Sequence, residues 1–200
     1  MTEDGESAPQ FKVILIGSSG VGKTSLIRSL LDVPFSDESY TTVTPAMCTY
    51  KFNAPDGNPI EMQIWDTAGQ EQYQSISQMF YRDSQVALLC FDAERKNRED
   101  IVRWQRSILE IVPKCKIILV LTKIDAVDMN ERSKLVDDCN VLYSELGCLS
   151  LSLTSSKSGE GIKRLLSYIV SLYEPVQKVN VVNIKENDEN VKKNKENKCC

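Results

Sequence analysis

Short apolar runs and stretches of helical period alternate along most of this 200-residue chain. Phe11-Lys12-Val13-Ile14-Leu15-Ile16 is almost continuously apolar and predicts a buried strand, followed by a helix over Lys23–Leu31. Asp32–Pro45 is polar, threonine-rich and punctuated by prolines, so it reads as a long loop. Met47–Phe52 and Pro59–Trp65 predict two strands around the turn Asn53-Ala54-Pro55-Asp56-Gly57-Asn58. So short a turn makes them an antiparallel hairpin. A loop then opens at Asp66–Glu71, and a polar helical stretch is predicted as far as Arg82. Strands over Val86–Asp92, Lys116–Leu121 and Leu149–Leu153 interleave with helices over Arg98–Val112, Asn130–Leu146 and Gly161–Tyr173. Ile101, Trp104, Ile108 and Ile111 share one face of the first of these, which Pro113 stops, and Gly147 caps the next, amphipathic helix. The alternation implies an α/β fold with a six-stranded, mostly parallel sheet, one antiparallel edge hairpin and helices on both faces. In such sheets ligands sit at the carboxyl ends of the strands.

Composition narrows the function. The formal charge of −4 leaves no basic surplus for nonspecific nucleic-acid binding, so no nucleic-acid partner is expected. Histidine is absent, which removes Ser-His hydrolysis, His-ligated zinc and imidazole acid–base chemistry. Met1–Gln10 is polar and acidic and reads as a flexible N-terminus without a targeting signal; the longest apolar runs are too short to span a bilayer. Of seven cysteines, Cys48, Cys90, Cys115, Cys139 and Cys148 lie in or beside apolar segments and are expected to be buried thiols. From residue 175 to 200 the chain is expected to be a disordered tail; Lys185–Lys198 carries five lysines and four acids, too balanced for an electrostatic anchor.

The chemistry gathers at Gly17-Ser18-Ser19-Gly20-Val21-Gly22-Lys23-Thr24, the pattern G-x-x-x-x-G-K-[ST] between a strand and a helix. Its glycines let backbone N–H groups converge on anionic oxygens. Lys23 adds positive charge beside the β- and γ-phosphates, and the Thr24 hydroxyl can join the shell of a Mg²⁺ ion.

Four further stretches complete a set. These are Thr42, Trp65-Asp66-Thr67-Ala68-Gly69-Gln70-Glu71, Thr122-Lys123-Ile124-Asp125 and Thr154-Ser155-Ser156-Lys157. In this order the five boxes resemble those of the Ras superfamily of small GTPases over residues 11 to about 173. The string Gln63–Glu71, Tyr81-Arg82 and the final Cys199-Cys200 resemble the Rab branch most closely.

The resemblance implies GTP or GDP as ligand with Mg²⁺. Nucleotide contacts would come from Ser19, Gly20, Val21, Gly22, Lys23, Thr24 and Ser25 of the phosphate loop. Thr24, Thr42 and Asp66 would serve Mg²⁺, the last through water, and the Gly69 N–H would meet the γ-phosphate. Gln70 would orient the attacking water, with Thr42 and Lys23 completing the catalytic set. Phe35 would stack on the guanine, or else be a core phenylalanine. Asp125 would accept both guanine N1–H and the 2-amino group, which adenine cannot offer as a pair. Thr122 and the stem of Lys123 would support the base, with Ser155, Ser156 and Lys157 closing the pocket. Prenyl groups on Cys199 and Cys200 would hold a monomer on the cytoplasmic face of endomembranes, with a soluble cytosolic pool. Implied partners are an exchange factor, an activating protein, a GDP-dissociation inhibitor or escort protein, and effectors reading the switch loops.

Two departures stand out. Thr122 replaces the asparagine usual in Rab-like chains and matches the Rho branch, and Thr44-Pro45-Ala46-Met47 replaces Gly-x-Asp-Phe. The readings kept open beside a vesicle-traffic switch are a binding module with negligible hydrolysis and a Rho-like cytoskeletal regulator.

Overall fold

A computed structural model describes residues 10–38, 42, 44–67, 79–93 and 97–175. Its strands are β1 (Gln10–Ile16), β2 (Ala46–Asn53), β3 (Pro59–Asp66), β4 (Val86–Asp92), β5 (Lys116–Thr122) and β6 (Ser150–Leu153). Its helices are α1 (Lys23–Leu30), α2 (Arg98–Ile111), α3 (Met129–Glu145) and α4 (Ile162–Ser171), with a 3₁₀ turn at Ile124–Ala126. The six strands lie in the order β2-β3-β1-β4-β5-β6, and only the β2–β3 pair is antiparallel. The six predicted strands, the helices after β1, β4, β5 and β6, and the sheet class are thus borne out; most of the polar stretch predicted helical up to Arg82 lies outside the described residues.

β4 reads VALLCFD and every residue is buried, as expected of a central strand covered on both faces. Side-chain alternation splits the core into two layers. Phe11, Val13 and Leu15 pack with Leu26 and Leu30 of α1 and Leu165 and Ile169 of α4. Ile14 and Ile16 face the other way, toward Ile101, Trp104 and Ile108 of α2 and Leu135 and Cys139 of α3. Both helical layers therefore leave the loops after β1, β4, β5 and β6 gathered at one end of the sheet. No helix among the described residues is long and apolar enough to cross a membrane.

Three expectations change. Residues 79–83 form turns rather than the end of a helix; Asp83 takes a left-handed φ of 61°, which stops helical propagation. α3 buries fully only Leu135 and Cys139, because it covers the short β6 side of the sheet and its apolar row is narrow. Cys48 is half-buried, since β2 is an edge strand, while Cys90, Cys115, Cys139 and Cys148 are buried. Burial pushes the Cys90 and Cys115 thiols up to about 12 and Cys148 to about 11, so they stay protonated and unreactive at neutral pH.

Candidate functional site

At the end of β1 the chain passes so close to β4 that only glycine fits. A Cβ on Gly17 would stand 2.1 Å from the Cys90 carbonyl oxygen. Gly22, at φ 97°, then caps α1 without any side-chain acceptor for its first N–H groups. Those donors are left for an anion. Lys23 is 6% exposed, and its ammonium donates to the carbonyls of Gly17 at 2.8 Å and Ser18 at 3.0 Å. The loop is therefore already folded back on its own lysine.

A cleft of about 440 Å³ opens above this loop. Its phosphate end is lined by Ser19, Gly20, Gly22, Lys23, Thr24 and Ser25, and Thr42 reaches it from the threonine-rich loop. Phe35, Thr122, Lys123, Asp125, Ser156 and Lys157 line the rest. Phe35 is 39% exposed and belongs to neither core layer, so the core reading of this ring is corrected. Val21 is buried behind the loop, and Ser155 is buried beneath the cleft floor. Gly69, Gln70, Cys199 and Cys200 lie outside the described residues.

Three hydroxyl and carboxylate groups from separate elements meet beside Lys23. The Thr24 hydroxyl donates to Asp66 Oδ2 at 2.6 Å, and Thr42 Oγ1 lies 2.9 Å from Thr24 Oγ1 and 3.4 Å from Asp66 Oδ2. Thr44 is exposed. Asp66 Oδ1 is buried without a hydrogen-bond partner. Burial raises the Asp66 pKa above the usual carboxylate range, against the Thr24 hydrogen bond and the Lys23 charge, which lower it. An orphaned carboxylate oxygen beside two hydroxyls is a hard, all-oxygen donor set with room for phosphate oxygens, which fits Mg²⁺.

That geometry has a measurable consequence. Because Asp66 holds its proton more tightly folded than unfolded, its charge costs stability above the folded pKa, and the cost fades as pH falls through it. In GDP-loaded protein with chelator, Asp66→Asn is expected to raise Tm at pH 7, by about 2–4 °C per kcal/mol relieved. The gain shrinks at lower pH. Added Mg²⁺ should raise Tm in wild type and not in the variant; equal Mg²⁺ responses in a thermal melt would remove Asp66 from the metal site.

At the other end of the cleft, Lys123 adopts φ 56° and turns the chain into the 3₁₀ turn that presents Asp125. The buried Ser155 hydroxyl donates to Asp125 Oδ1 at 2.5 Å and fixes the carboxylate. Lys123 Nζ donates to the Gly20 carbonyl at 2.7 Å and to buried Asp92 at 3.0 Å, tying the base-end loop to the phosphate loop. Thr122, 4% exposed, points its hydroxyl at the carbonyls of Val21 (2.6 Å) and Phe91 (3.0 Å), with one proton shared between them. A short hydroxyl is long enough for this bracing job. Sequence reasoning missed Asp92, the cleft residues Ser36, Asp37, Thr67 and Ala126, and Arg132. Arg132 donates to the Ile124 carbonyl at 2.8 Å and pairs with Glu160 at 3.2 Å, holding the base-end turn from α3.

A family model described as Ras of Complex, Roc, domain of DAPkinase matches residues 12–125, from β1 through the Asp125 turn. The chain belongs to this family of Ras-like GTPase domains. It is a guanine-nucleotide-binding switch, and Ras-like GTPases take GTP or GDP, typically with Mg²⁺, and work with exchange factors, activating proteins and effectors. In this Ras-like domain the Ser155-Ser156-Lys157 stretch lies beyond the matched residues and is placed at the cleft by its position after β6.

Proposed function

We propose that this Ras-like domain is a Rab-like switch that hydrolyses GTP slowly and times vesicle-mediated membrane traffic. The observation that carries the switch is the meeting of Thr24, Thr42 and Asp66, which joins a loop residue to the phosphate and metal end of the cleft. Thr24, Thr42 and Asp66 would hold Mg²⁺, which would supply charge neutralisation at the phosphates. Lys23 holds the β- and γ-phosphates, Thr42 senses the γ-phosphate, and Gln70 aligns the water for in-line attack. Loss of the γ-phosphate removes the partner of Thr42 and the Gly69 N–H, and both loops are released together.

The Rab branch is supported by the Gln63–Glu71 string, Tyr81-Arg82 and Cys199-Cys200. Two prenyl chains suffice for stable anchoring without a basic patch. On this reading the protein cycles between endomembranes and a cytosolic pool kept by a lipid-masking carrier. Deleting Cys199 and Cys200 is expected to shift the protein from the membrane pellet to the soluble fraction of a eukaryotic cell. Continued sedimentation with membranes would reject prenyl anchoring.

A further inference from the structure

The back of the phosphate loop is not packed solid. Ser18, Ser19 and Val21 border an open pocket of about 300 Å³ lined on its other side by Cys90, Ile101 and Trp104. Apolar contact alone therefore does not hold the loop against α2. A polar chain crosses there instead. Trp104, 1% exposed, donates its indole N–H to Ser18 Oγ at 3.2 Å. The Ser18 hydroxyl in turn points to Asp100 Oδ2 at 3.5 Å, a long and weak contact. Asp100 is itself paired with Arg103 at 2.9 Å, so one helix holds both sides of a single loop hydroxyl. The backbone carbonyl of the same Ser18 accepts from the Lys23 ammonium at 3.0 Å.

We propose that Trp104 is a positioning residue for nucleotide phosphate, acting through Ser18 to fix the loop carbonyl that holds Lys23. The indole N–H and the carboxylate polarise the hydroxyl in the same direction, and the shorter indole bond carries most of the restraint. Helix α2 thereby restrains the phosphate end of the cleft. The proposal rests on the guanine-nucleotide reading of the cleft.

The test uses the full chain loaded with fluorescent N-methylanthraniloyl-GDP, with release followed by direct excitation of the fluorophore. Trp104→Phe removes the donor and keeps most of the ring volume; Ser18→Ala removes the acceptor and leaves the core untouched. Each is expected to speed release about three- to tenfold, as loss of one hydrogen bond would. The double variant should be no faster than the faster single one, because both break the same link. Competition titrations should show weaker GDP binding but unchanged GMP binding, since GMP lacks the phosphate that Lys23 holds. Unchanged release in Ser18→Ala, additive effects in the double variant, or equal losses for GDP and GMP would each overturn the proposal. A wild-type chain that binds no guanine nucleotide would instead overturn the reading beneath it.

Discussion

Replacing Lys23 with methionine is expected to weaken GDP binding by about 3–5 kcal/mol, roughly 10²–10⁴-fold. Methionine keeps the length and volume of the stem, so the effect isolates the ammonium. That group is 6% exposed and donates to the Gly17 and Ser18 carbonyls. With phosphate present it becomes a charge-assisted donor in a site from which water is largely excluded, where such bonds are strongest. Its removal also leaves two loop carbonyls short of a donor. Calorimetric titration with GDP checks the loss, with circular dichroism to show an intact fold. Affinity within threefold of wild type would remove Lys23 from phosphate binding.

The second large effect concerns the choice of base. Asp125→Ala is expected to collapse discrimination between GDP and ADP by about four decades, by analogy with sites built around a specific donor. Wild-type Asp125 is an acceptor-only carboxylate held by the Ser155 hydroxyl at 2.5 Å. Guanine matches it with two donors, whereas adenine leaves the charge facing no N–H pair. Alanine removes the reward for guanine and the penalty on adenine together. Competition between GDP and ADP measures the ratio; a preference unchanged by the substitution would place base selection elsewhere.

What the sequence makes legible is local. Gly17 and Gly22 are demanded by backbone approach and left-handed geometry, and both demands sit inside one eight-residue motif. The strand-to-helix context of that motif follows from periodicity, and so does the two-sided sheet. Lys123 and Asp125 are likewise marked by spacing after a strand. Their supports are not. Asp92 pairs with Lys123 across 31 residues, Arg132 reaches Glu160 across 28, and Trp104 meets Ser18 across 86. Such partners become neighbours only after the sheet and helices assemble, and no short pattern announces them.

Thr122 teaches the same lesson from the other side. From sequence Thr122 reads as a support for the base, and its hydroxyl gives that support at one remove, bracing the Val21 and Phe91 carbonyls beneath the cleft. The narrow apolar row of α3 and the turn at 79–83 depend on which part of the sheet is left to cover and on the left-handed Asp83, neither of which periodicity reports.

The proposed switch requires that this cleft select guanine nucleotide and turn it over. Purifying the full chain from bacteria and identifying the nucleotide released on denaturation tests it most directly. Guanine nucleotide at near one equivalent, present as GDP, is the predicted result. Bound GTP would contradict turnover and leave a binding module, and an empty site or an adenine nucleotide would contradict the switch itself.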